Sequence, residues 1–179
     1  YIVEVYTYDV KKNQYIMELL SESIEKYVLN NNANLAYSVR INLIMQTLRA
    51  IEYIHTKGYY HRDICPKNIL IKKYDDTIVV KLSDFGLAKE NNSELTSDST
   101  DIKGYYNDPA LQIEGFKNYG ILHEIYALTR LVVFILTGKN NYDKIKDAKI
   151  KSFLAKGTNP DKSKRFQTID ELRQAVRLL

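Results

Sequence analysis

Residues 60–70 read YHRDICPKNIL. A His-Arg-Asp triplet, a Cys-Pro-Lys step and an Asn stand together just before an apolar run. Upstream, Ile41, Ile44, Leu48, Ile51 and Ile54 recur at three- and four-residue steps. That spacing predicts one face of a helix, which Gly58 stops. Downstream, residues 68–72 (NILIK) and 77–82 (TIVVKL) predict two small strands joined by the turn Tyr74-Asp75-Asp76. Asp84-Phe85-Gly86 closes the second strand. Asp63 and Asn68 thus sit on a loop between a helix and a strand, and Asp84 sits on a Gly-containing turn that can face the same pocket. Carboxylate and amide oxygens are hard ligands suited to a magnesium ion carried by phosphates. A further carboxylate, free of metal, can orient a hydroxyl for attack. Together these are the parts needed for phosphoryl transfer, where positioning and charge neutralisation do most of the catalysis.

The rest of the chain frames that loop. Its 179 residues suffice for one domain with a real core, and 45% hydrophobic with 27% charged residues is ordinary globular composition. The formal charge of +4 comes from 26 basic and 22 acidic residues interspersed along the chain. No dense basic stripe of the kind a nucleic-acid surface needs stands out, so no nucleic-acid partner is expected. Cys65 is the single cysteine, which rules out an internal disulfide and fits a reducing, intracellular compartment. The most apolar stretch, residues 131–136, is far shorter than the roughly 20 residues a bilayer-spanning helix requires, and no membrane segment is expected.

Residues 1–10 and 14–20 predict a hairpin around Lys11-Lys12-Asn13. Ser21-Glu22-Ser23 then caps a short helix over residues 24–29. Residues 90–104 are polar, with Ser93, Thr96, Ser97, Ser99 and Thr100, and read as an exposed loop. Residues 121–136 are apolar on nearly all faces, as in a helix buried mid-domain, and Gly138 ends it. A last helix starts at Thr168, with Glu171 completing a capping box. The fold class is α+β, mostly α.

His61-Arg62-Asp63 with Asn68, then a two-strand insert and Asp84-Phe85-Gly86, resembles the catalytic loop and metal-binding turn of eukaryotic-type protein kinases, Ser/Thr-like. The resemblance covers nearly the whole chain. It implies a residual N-lobe hairpin and hinge over residues 1–20 and a kinase C-lobe over residues 21–179. Within the latter it places a catalytic loop at 61–68, a metal turn at 84–86 and an activation segment at 84–110. It implies ATP and Mg²⁺ as cofactors and a protein hydroxyl as substrate. Met17 would be the gatekeeper, Glu18 and Leu20 backbone contacts to adenine, Leu70 the floor beneath it, and Ser83 the residue before the metal Asp. Asp63 would orient the substrate hydroxyl, and Asn68 and Asp84 would hold Mg²⁺. Arg62 would read a phosphate or acid on the loop 90–104, while His61 would be structural. The chain opens inside a strand, so the rest of the N-lobe, with its Gly-rich loop, strand lysine and helix glutamate, is expected upstream. The 179 residues alone are therefore expected to be inactive. Two other readings stay open: a kinase-like regulatory module without catalysis, and a small-molecule phosphotransferase of the same fold.

Four features depart from the family pattern. The upstream phosphate-binding parts are missing. Cys65 stands where Ser/Thr kinases carry a lysine, while Lys67 stands two positions further on and could supply the charge. Asp108-Pro109-Ala110 replaces Ala-Pro-Glu, so Arg165 either lacks its usual acid or uses another. Glu124 and Tyr126 replace an Asp and a Trp on the central helix, with side chains able to keep the same hydrogen bonds at a different reach.

Overall fold

In a computed structural model, residues 1–75, 77–90 and 104–179 are described. Residues 91–103 of the predicted loop, with its serines and threonines at positions 93–100, lie outside them. The chain opens with the hairpin β1 (Val5–Asp9) and β2 (Gln14–Met17), paired antiparallel with Val5 opposite Met17 and Asp9 opposite Gln14. Every residue of both strands is exposed, so Val5, Tyr6, Tyr8, Tyr15, Ile16 and Met17 show apolar surface to solvent. The expected strand over residues 1–10 is divided in two. Ile2 bridges to Leu82 in parallel, with Val3 N–H donating to Leu82 O at 2.9 Å and Leu82 N–H to Tyr1 O at 2.7 Å. The first residues therefore extend a different sheet.

That sheet has the order β3 (Glu22–Ser23), β5 (Ile69–Lys73), β6 (Ile78–Leu82), all antiparallel. β3 pairs too briefly to leave a signal of its own in the sequence. It leads directly into α1 (Ile24–Asn31), whose N-cap Ser23 accepts from Lys26 N–H. α2 spans Tyr37–Thr56 and begins four residues before its first periodic isoleucine. Its Gln46 amide covers the edge of β6, accepting from Val80 N–H at 2.9 Å and donating to Ile78 O at 2.9 Å. A side chain thus satisfies backbone groups that a buried edge would otherwise orphan. β4 (Tyr59–Tyr60) pairs with β7 (Lys89–Glu90), which ties the residues before the loop at 61–68 to those after the turn at 84–86.

After α3 (Leu111–Glu114) comes α4 (Ile121–Thr137), the buried helix expected from its all-round apolarity, ending at Gly138. α4 and α2 form the centre of the core with Leu43, Ile44, Leu48, Ile51, Leu128 and Phe134. α5 (Ala148–Gly157) was not anticipated, although Asp147 caps it through Lys149 and Ile150 N–H and Ile150, Phe153 and Leu154 give it helical spacing. It lies close against α4: a Cβ on Gly157 would fall 2.1 Å from Thr129 Oγ1. α6 (Ile169–Val176) closes the chain with the expected cap, Thr168 Oγ1 accepting from Glu171 N–H at 3.1 Å. The reciprocal bond of the box is shifted by one residue, because Glu171 accepts from Gln167 N–H at 2.9 Å. Among the described residues no helix is long and apolar enough to cross a membrane.

Candidate active site

The loop at residues 61–68 is fixed from below by α4. Glu124, fully buried, accepts Arg62 N–H on Oε1 at 3.0 Å and meets His55 Nε2, at the end of α2, on Oε2. The shorter Asp of the kinase pattern is therefore replaced by an acid that still reaches the loop backbone. Arg62 takes a left-handed backbone, φ +68°, uncommon outside glycine and typical of sites where packing over-determines the chain. His61, fully buried, points its Nε2 at Ser83 O at 3.0 Å, which requires the proton on Nε2, and its ring stacks near Phe85. It acts as packing and tether, in keeping with its structural assignment.

Asn68 links the two halves of the site. Its Nδ2 donates to Asp63 O and to Asp63 Oδ2, both at 2.9 Å. Its carbonyl accepts from Ser83 N–H and from Ser83 Oγ, again both at 2.9 Å. Ser83 thereby uses its hydroxyl to fasten the turn at 84–86 to the loop at 61–68. Asp84 follows with φ +61° and an exposed side chain, which accepts a long 3.4 Å bond from Gly86 N–H. Asn68 Oδ1 and the Asp84 carboxylate are hard oxygen donors on adjoining segments, and this donor set fits a magnesium ion that arrives with phosphates and keeps most of its waters. No cluster of three or more His, Cys, Asp or Glu side chains forms a complete metal cage among the described residues.

Six of the predicted residues fall into two clefts. Asp63, Lys67 and Asn68 line one of about 390 Å³, together with Glu25, Cys65 and Gly104. Lys67 is exposed there, and Cys65 is half-buried with its thiol pushed up chiefly by burial, so it stays neutral. Met17, Ser83 and Asp84 line a second cleft of about 460 Å³ beneath the hairpin, with Val5, Tyr8, Tyr15 and Phe85. Leu20 and Leu70 are half-buried and line neither.

The side chain of Glu18 has a role the sequence reading did not anticipate. It is 2% exposed, accepts Glu4 N–H at 2.9 Å, and pairs with Lys81 at 2.7 Å and Lys72 at 3.0 Å. The Lys81 contact above all holds its carboxyl down at about 2. Glu18 clasps the end of β2 to β5 and β6.

Arg62 lines neither cleft. Its guanidinium lies 3.9 Å over the Phe116 ring and donates from Nη2 to Phe116 O at 2.7 Å. The loop it was expected to read lies outside the described residues. Arg165 has an acid after all: its Nη1 meets Asp108 Oδ2 at 2.5 Å, with both side chains almost fully buried, and it stacks on Tyr126. The acid thus sits two positions before the usual glutamate, and Tyr126 gives Arg165 an aromatic face.

A catalytic-loop carboxylate tied to an amide, next to a second acid on a left-handed turn, defines a phosphotransferase-type site on an α+β scaffold. The profile of the protein kinase domain matches residues 1–176, and the chain belongs to the protein kinase family. It is 30% identical over 162 residues to calcium/calmodulin-dependent protein kinase type 1 of Caenorhabditis briggsae, an overlap of 87% of this chain and 44% of the relative. It is 34% identical over 132 residues to mitogen-activated protein kinase 10 of Oryza sativa subsp. japonica, covering 72% of this chain and 21% of that protein. It is also 31% identical over 152 residues to the candidate serine/threonine-protein kinase L673 of Acanthamoeba polyphaga mimivirus, covering 81% and 26% respectively. The chain spans less than half the length of each of these relatives.

Proposed function

We propose that this chain is the catalytic part of an ATP- and Mg²⁺-dependent Ser/Thr protein kinase, transferring the γ-phosphoryl group to a protein hydroxyl. The observation that carries the reading is the Asp63–Asn68–Ser83 linkage, which ties the Asp63 carboxylate to the Asn68 amide and, through Ser83, to the residue before Asp84. In this reading Asp63 accepts the substrate hydroxyl proton as the oxygen attacks phosphorus. Asn68 keeps Asp63 oriented with its Nδ2 and offers Oδ1, with Asp84, to the metal. Magnesium, when bound, screens the phosphate charge. Lys67, exposed on the same cleft, adds the positive charge that Cys65 lacks. Met17, the Glu18 and Leu20 backbones, and Leu70 bound the adenine side. Arg62 reads a phosphate or acid on the activation segment.

The exposed apolar faces of β1 and β2 support a further part of the proposal. A lone two-stranded ribbon is marginally stable in water, so these faces belong against the remaining N-lobe strands. In that case the 179 residues alone bind ATP poorly and transfer phosphate slowly.

The test uses the native protein with Mg-ATP and a mixed Ser/Thr peptide library. Wild type should label Ser or Thr, and Asp63→Asn should lower kcat by about 10²–10⁴-fold, the range for losing a general base. Undiminished transfer by Asp63→Asn sinks the proposal.

A further inference from the structure

Gly104 touches the reacting carboxylate. Its φ is +101°, and a Cβ built on it would lie 2.6 Å from Asp63 Oδ1 and 3.1 Å from Asn107 Nδ2. Real Cβ atoms do not approach that closely, so the position is closed to any side chain unless Asp63 moves. The neighbours of Gly104 are anchored on three sides. Asn107 N–H donates to Gly104 O at 3.1 Å, and Asn107 Nδ2 donates to Arg62 O at 3.0 Å, one residue before Asp63. Arg130, reaching from α4, donates from Nη1 to Tyr105 O at 2.6 Å and lies 4.8 Å from the rings of both Tyr105 and Tyr106. Asp108 is locked to Arg165. Asp63 Oδ1 therefore occupies the space that a side chain at position 104 would need, while Asn68 Nδ2 holds Oδ2.

We infer that the turn at residues 104–107, seated by Arg130 and Asn107, is a positioning device for Asp63, with Gly104 as the surface that fixes its carboxylate rotamer. The carboxylate has one oxygen on Asn68 and the other against Gly104. With Gly104 lacking a side chain, Oδ1 can lean toward the cleft where a hydroxyl would enter; with a methyl there, the carboxylate must rotate and release Asn68. This rests on the kinase reading of Asp63. Gly104 and Arg130 are positioning residues that touch no substrate atom.

The backbone cost of replacing a positive-φ glycine must be separated from the clash. Gly58 provides the control, since its φ is +81° and nothing lies within 4 Å of a Cβ built there. Gly104→Ala, Gly58→Ala and Arg130→Lys are made in the native protein, with two readouts. The first is the side-chain amide resonance of Asn68 by NMR, which needs no turnover. The second is kcat against KM for ATP. Gly104→Ala is expected to shift the Asn68 amide and to lower kcat on the order of 100-fold, the scale of an ångström misplacement, with KM within twofold. Gly58→Ala is expected to leave both readouts at wild-type values. If Gly104→Ala does not fold, Arg130→Lys decides: a shifted Asn68 amide and a fall in kcat of about 10-fold support the inference. Gly104→Ala behaving like Gly58→Ala in the Asn68 amide signal overturns it, as does an Arg130→Lys protein with a wild-type Asn68 signal. Should Asp63→Asn keep full transfer, the kinase reading fails, while the NMR signals still judge whether the turn holds Asp63.

Discussion

The Asp108–Arg165 pair makes the sharpest demand on stability. Both side chains are at most 2% exposed, and Asp108 also accepts Ala110 N–H on Oδ1 at 2.9 Å. Asp108→Ala removes the acid and leaves a guanidinium buried without its counter-charge, a change that costs about 3–5 kcal/mol. Arg165 keeps two carbonyl partners, Asn159 O at 2.7 Å and Leu122 O at 2.9 Å, which points to the lower end, about 3 kcal/mol. For a chain of this length that lowers Tm by about 6–12 °C. The assay is urea unfolding of a double-mutant cycle of Asp108→Ala and Arg165→Ala, with a coupling energy of at least about 1 kcal/mol expected for charges in direct contact. A relocation variant, Asp108→Ala with Ala110→Glu, should recover part of the loss, because it returns the acid to the position the family normally uses. Independent single effects, with coupling below about 0.3 kcal/mol, would refute the claim that Asp108 serves Arg165.

Glu18 gives a pH signature. Its folded carboxyl titrates at about 2 against an ordinary 4.5, so its contribution is fully present above pH 4.5 and is lost as pH falls from 4.5 toward 2. Glu18→Gln should flatten that part of a stability-against-pH curve, measured by urea midpoints; an unchanged curve contradicts the clasp. Gly157→Ala forces a methyl onto Thr129, whose Oγ1 is already committed to Ile125 O at 2.7 Å, and should cost about 1–3 kcal/mol by thermal melting. Lys67→Ala should lower kcat in the native protein by about 10-fold, less than the full value of a buried transition-state donor because Lys67 is exposed, and adding Cys65→Lys should restore it.

The parts of the site that could be read ahead of the structure were those with fixed local spacing. Asp63 and Asn68 share one loop, Asp84 closes one strand, and the helices at α2, α4 and α6 carry their own periodicity or caps. The parts that could not be read depend on contacts distant in sequence. β3 pairs for two residues, and nothing local marks it. Glu18 was read through its backbone because the hinge pattern concerns only backbone atoms; its buried side chain is explained by Lys72 and Lys81, 54 and 63 positions further on. Gly104 looked like the end of a polar loop, and only the placement of Asp63 against it gives it a function. α5 did carry signals, in Asp147 and the Ile150-Phe153-Leu154 spacing, but they stand in a lysine-rich stretch that masks the apolar stripe.

Two departures from the kinase pattern, at Glu124 and Asp108, share one physical logic. A buried hydrogen bond constrains where a charged atom sits, not which Cα carries it. Glu124 is one methylene longer than the usual Asp, and its carboxylate still meets both the Arg62 amide and His55. Asp108 is shorter than the usual Glu and starts two residues earlier, and its Oδ2 still meets Arg165. In both cases the interior cannot tolerate an unpaired charge, so loss of the acid costs more than a shift in its origin. The exchange of Cys65 and Lys67 is different in kind, because that charge faces an open cleft where no burial penalty enforces it. Function alone can retain a lysine there, which makes the paired substitution of positions 65 and 67 a test of catalysis where the other departures test folding.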